Sequence, residues 1–159
     1  MKKRGIFIIF CALTGLWILF IWYNSLKSGD VSGNMSGSVT AFINSLLSHL
    51  PSSPSVSGLF VRKCAHFLEF AALALFFCVD IKLFFAIDRA TPAKRLCLLW
   101  LALPLSSLIA AIDETVQLFV PGRVGVITDV LIDSAGALCA TAIFFCFYVV
   151  LGLRCGEKS

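Results

Sequence analysis

The sequence predicts an all-α fold, a polytopic membrane protein with four transmembrane helices in an antiparallel bundle and a short amphipathic or re-entrant helix on the extracytoplasmic side. Three observations predict it. Apolar residues make up 59% of the 159-residue chain and the mean hydropathy is +0.96, whereas soluble globular domains are about 45–50% apolar. Four apolar runs each approach or exceed the about 20 residues that a spanning helix needs. The bases gather at the ends of those runs, where they act as topology signals. Four spans with short connections nearly use up the length, so a single membrane domain over residues 1–159 is expected.

The first span covers about Gly5 to Tyr23, behind Lys2, Lys3 and Arg4. It is longer than the 7–15 apolar residues typical of a signal peptide, and Asn24-Ser25-Leu26-Lys27 offers no small-x-small cleavage site. Trp22 and Tyr23 close it with interfacial aromatics. A Ser/Gly-rich connection, Ser28 to Gly37, leads to Val39, Phe42, Ile43, Leu46, Leu47 and Leu50 at three- and four-residue spacing. That spacing predicts an interfacial helix over about residues 38–50, too short to span. His49 on it reads best as a headgroup-facing side chain, and Pro51 to Pro54 ends it.

The second span covers about Leu59 to Val79. On a helix turning about 100° per residue, Arg62, His66 and Glu69 share one face. Asp80 to Arg95 reads as a basic loop with Lys82, Arg89, Lys94 and Arg95. The third span covers about Leu96 to Phe119, and Pro104 should kink it by removing the hydrogen bond to the Trp100 carbonyl. Val120-Pro121-Gly122-Arg123 is a tight turn, proline presetting one dihedral and glycine tolerating positive φ. The fourth span covers about Ile127 to Leu153, where Gly136 and Ala140 form a small-residue face for close helix contact.

With the N-terminus inside, nine of the thirteen lysines and arginines fall on the cytoplasmic side, so the positive-inside rule favours both termini in the cytoplasm. The net charge of +4 therefore reports topology, and no nucleic-acid partner is expected. The seven cysteines make no CxxC pair and mostly lie in apolar runs, which argues against a disulfide framework or a zinc site.

Charge concentrates between Asp113 and Asp133. Asp113 and Gln117 are four residues apart, as are Asp129 and Asp133, so each helix can aim a pair toward Arg62, His66 and Glu69. A charge at the centre of a span costs roughly 2.5–3.5 kcal/mol on insertion scales, so these groups must be paired or face water. Together they predict one outward-opening polar pocket. His66, Glu69, Asp113 and Glu114 are its acid/base candidates. Arg62, Lys63 and Arg123 are suited to an anionic group such as a lipid phosphate, with Gln117, Asp129 and Asp133 completing the binding wall. Each residue also has a plainer role: Arg62 and Lys63 can snorkel, and His66 and Glu69 can clamp helices. Their number on one side favours the pocket. His66-x-x-Glu69 with the aspartates is a weak metal set, lacking bis-histidine or HExxH spacing, so neither metal nor cofactor is expected.

The segments R-K-C-A-H-F-L-E-F (Arg62 to Phe70), D-E-T-V-Q-L-F-V-P-G-R-V-G-V-I-T-D-V (Asp113 to Val130) and D-S-A-G (Asp133 to Gly136), with the polar Asn24-Ser25 close to the first helix, resemble the VanZ-like family. Phe70 stands where that family often has tyrosine, which removes a hydroxyl. The family pattern falls on Arg62, Lys63, His66, Glu69, Asp113, Glu114, Gln117, Pro121, Gly122, Arg123, Asp129 and Gly136. The resemblance implies a small bacterial plasma-membrane protein of the cell envelope, of a family named for a member that raises resistance to the glycopeptide teicoplanin. It implies no established reaction. Three classes follow: a protein that binds or shields a lipid-linked or amphiphilic envelope ligand, an acid/base hydrolase or transferase acting on an anionic headgroup, and a small transporter. Transport ranks last because no acidic residue is expected in the inner half of the helices.

Overall fold

The computed structural model describes residues 2–51, 54–87 and 91–156, and every regular element among them is helical. Among the described residues, three segments are long and apolar enough to cross a membrane: Arg4–Ser25, Lys94–Gln117 and Ile127–Tyr148. They correspond to the first, third and fourth expected spans. The first is helix α1 (Lys2–Ser25). The last is α6 (Ile127–Gly156), which runs slightly past the expected end.

The third is broken. Helix α4 (Pro92–Leu99) and helix α5 (Ala102–Gln117) meet at Trp100-Leu101. Pro104 has no N–H to offer the Trp100 carbonyl, which accepts instead from Leu103 N at 3.3 Å. Leu101 N likewise bonds Leu98 O at 3.1 Å. Both are three-residue bonds that tighten the chain, so the proline acts one turn upstream of itself.

The expected second span is helix α3 (Gly58–Phe84), 27 residues long and carrying Arg62, Lys63, Glu69, Asp80 and Lys82. It is not among the three apolar crossing segments, yet it is the element on which α1, α5 and α6 all pack. Its closest partner is α6. A Cβ on Gly136 would stand 2.2 Å from the Phe67 carbonyl oxygen, so the two backbones touch where glycine removes the side chain. Ala74, Ala137 and Ala140 continue that contact. Phe70, Leu73, Ile21 and Ala110 fill the space among α1, α3 and α5.

Two expectations need correction. The Ser/Gly stretch after α1 is no linker: helix α2 covers Gly29–Leu47, about nine residues earlier than its apolar periodicity indicates. Glycine costs about 1 kcal/mol relative to alanine in a helix interior, which disguises the segment, but tertiary contacts support it. Ser28 caps its start, accepting from Val31 N. Gly29 N bonds the Pro121 carbonyl at 3.0 Å. The hydroxyls of Ser36, Ser38 and Thr40 are satisfied by carbonyls one turn back. At the far end Asn44 exchanges two hydrogen bonds with the backbone of Val56. No α2 residue is buried.

The basic loop is also shorter than expected. Asp80 and Lys82 belong to α3, Lys94 and Arg95 to α4, while Asp88 and Arg89 lie outside the described residues. Thr14 of α1 donates its hydroxyl to the Asp80 carboxylate. A carboxylate therefore does sit within the helices, about 16 Å along α3 from Glu69 at 1.5 Å per residue. The ground for ranking transport last is lost.

Candidate functional site

The connection between α5 and α6, residues 118–126, sets the site. Arg123 N bonds Val120 O at 3.1 Å and Gly122 has φ +72°, the pattern of a type II turn with proline second and glycine third. Gly122 also meets Gly29, where a Cβ would stand 2.0 Å from the Gly122 carbonyl oxygen. Two glycines thus bring the turn against the start of α2.

A cavity of about 450 Å³ opens between the end of α1, the first half of α2, the start of α3 and this turn. Its polar wall holds Asn24, Lys27, Arg62, His66, Glu69 and Arg123. Its apolar wall is Met35, Val39, Val61 and Ala65. Glu69 Oε1 accepts from Asn24 Nδ2 at 3.0 Å, and Oε2 stands 3.8 Å from His66 Nδ1. Lys27 Nζ donates to Asn24 Oδ1 at 3.0 Å and lies over the Tyr23 ring. The Glu69 backbone carbonyl accepts from the Trp17 indole at 3.0 Å, fixing α1 against α3 beside the cavity.

Arg123 works mainly as a brace. Its Nε and Nη2 donate to the carbonyls of Lys27 and Asn24 at 3.2 and 3.1 Å, and Nη1 reaches Gln117 Oε1 at 3.4 Å. These contacts satisfy carbonyls at the end of α1, the helix pole that favours cations. Burial holds the guanidinium below its usual pKa, helped by Arg62 and opposed by Asp113, Glu114 and Glu69; an arginine remains charged regardless. Arg62 has no hydrogen bond or ion pair among the described residues. Lys63 pairs with Asp129 at 2.5 Å, tying α3 to α6.

Behind the cavity lies a buried polar layer. Asp113 Oδ2 accepts from Ser25 Oγ at 2.7 Å and from Gln117 Nε2 at 3.0 Å. Asp113 and Asp133 are fully buried. One oxygen of Asp113 and both of Asp133 have no hydrogen-bond partner among the described residues. His66 lies within electrostatic reach of both Asp113 and Asp129. Glu114 is spent on structure, since Oε2 accepts from Val126 N at 3.0 Å and pins the chain as it enters α6.

The structure thus brings Arg62, His66, Glu69 and Arg123 to one cavity, and places Asp113, Gln117 and Asp133 in the layer behind it. Asp129, with Lys63, lines a second, smaller cavity of about 240 Å³. Asn24, Ser25 and Lys27 are the contributors that site assignment from sequence missed. Of the three, Ser25 shares a buried face of α1 with Thr14 and Ile21, a burial the sequence does not show.

The VanZ/LLP1 family model matches residues 10–149. The chain belongs to this family. The match runs from within α1 to within α6 and takes in both walls of the cavity and the buried layer. It makes the chain a VanZ-like membrane protein. No curated protein and no solved structure matches the chain.

Proposed function

We propose that this VanZ/LLP1 protein acts in the bacterial cell envelope by binding the anionic head of a lipid-linked or amphiphilic ligand in its larger cavity. In this reading α3 is a fourth span, the cavity opens outward, and binding underlies a contribution to teicoplanin-type resistance or envelope modification. The observation that carries it is Arg62, a half-buried arginine on the cavity wall with no hydrogen-bond acceptor among the described residues. Lys63 and Arg123 already have oxygen partners. The Arg62 donors stay open to the cavity, and an anionic oxygen is their strongest complement. Met35 and Val39 on α2, with Val61 and Ala65 on α3, suit the apolar remainder of an amphiphile. Native mass spectrometry of the purified protein with its co-isolated lipids tests this. An anionic amphiphile should be retained, and Arg62→Ala should weaken its binding on the order of tenfold, the worth of one charge-assisted hydrogen bond. Equal retention of neutral and anionic lipids would remove the reading.

The pair of His66 and Glu69 on the same wall, 3.8 Å apart, favours a second reading, acid/base catalysis on the bound head. Glu69→Gln keeps the acceptor for Asn24 while removing the titrating carboxyl. If catalysis operates, Glu69→Gln and His66→Ala both abolish teicoplanin resistance at unchanged protein level. Resistance retained in both variants leaves binding alone.

A further inference from the structure

The larger and smaller cavities share a wall, and that wall is made by Arg62 and Arg123. The two guanidiniums are close enough to repel each other. An anion at this wall would relieve that repulsion and satisfy the free donors of Arg62. The spaces on either side differ in character. Beyond the wall the smaller cavity has Lys63, Asp129 and Thr128 as its other polar groups. Lys63 and Asp129 neutralise each other. Among the described residues no aromatic ring lines this space, so a quaternary ammonium would find no cation–π face there, and a primary ammonium would find three cations and one carboxylate already engaged. Thr128 Oγ1 stands 3.5 Å from Asp129 Oδ1, at the limit of a hydrogen bond. Its hydroxyl is therefore available to a ligand hydroxyl.

We propose that one anionic phospholipid with an uncharged, hydroxyl-bearing headgroup spans both cavities. Its phosphate lies at the Arg62 and Arg123 wall, its chains lie against Met35 and Val39, and its headgroup enters the smaller cavity beside Thr128. This rests on the reading of the larger cavity as an amphiphile site and adds the second cavity as the element that selects the headgroup.

The test measures lipid affinity by native mass spectrometry on the full chain in detergent. Its probes are phosphatidylglycerol, phosphatidic acid and phosphatidylcholine with identical chains, and chain-free glycerol 3-phosphate. Phosphatidylglycerol should bind on the order of tenfold tighter than phosphatidylcholine, and glycerol 3-phosphate far more weakly than either anionic lipid. Arg62→Ala should weaken phosphatidylglycerol and phosphatidic acid alike. Thr128→Val and Thr128→Ala should weaken phosphatidylglycerol about threefold, the worth of one neutral hydrogen bond, and leave phosphatidic acid unchanged; Thr128→Ser should behave as wild type. If the Thr128 variants affect both anionic lipids equally or neither, the headgroup cavity is overturned while the amphiphile reading stands. If neither anionic lipid exceeds phosphatidylcholine, the amphiphile reading itself falls. Glycerol 3-phosphate binding as tightly as phosphatidylglycerol overturns the lipid as occupant.

Discussion

Gly136 and Asp113 illustrate two kinds of residue in this molecule. At Gly136 the Phe67 carbonyl occupies the space a side chain would need, so Gly136→Ala forces α3 and α6 apart. Overpacking of this kind typically costs 1–3 kcal/mol. A thermal melt in detergent should show a clear loss for Gly136→Ala and none for Gly15→Ala, whose added Cβ would meet nothing within 4 Å. Gly136 was legible in the sequence because small residues four apart on an apolar helix have one common use. Asp113 was legible as an ionisable residue aimed at the pocket, without its hydrogen-bond partner. Its partner Ser25 is 88 residues away in the chain, and no local pattern names such a partner. Glu114 shows the same limit. Adjacent to Asp113 and equally ionisable, it turns its carboxylate to a backbone N–H across the α5–α6 turn.

At the scale of elements, periodicity found the apolar segments but started α2 about nine residues late and ended α3 short of Phe84. Helix α2 begins with Gly, Ser and Asp because its first half faces a cavity and the Gly122 turn instead of an apolar core. Intrinsic propensity therefore understated it. Val31, Met35, Val39, Phe42 and Leu46 form an exposed apolar row on this helix, which suits an interfacial position. Phe42→Trp should give a blue-shifted emission that bromine-labelled lipids quench; an unquenched emission typical of water would exclude that position. The break between α4 and α5 is the opposite case. Proline chemistry predicts a kink here and the carbonyl that loses its bond, since the missing N–H is a local property, although not the full break into two helices.

At the scale of the whole molecule, the three described segments apolar enough to cross a membrane gather around a helix that is more charged than any of them. If α3 spans the membrane, the chain crosses four times and both termini lie on one side, as the distribution of bases favours. If it does not, three crossings put them on opposite sides. Reporter fusions at each end distinguish the two, and opposite sidedness would remove α3 as a span and with it the outward-facing cavity. What the sequence by itself determined is the membrane class, the apolar helical segments, the bend at the proline, the glycine contact and the residue types of the site, because hydropathy, periodicity and backbone restrictions act over a few residues. Tertiary structure alone decided which polar groups satisfy one another: Arg123 became a brace for α1, Lys63 was taken by Asp129, and Arg62 was left facing two cavities. Those outcomes depend on the rotation of each helix and the depth at which it packs, which a one-dimensional pattern does not carry.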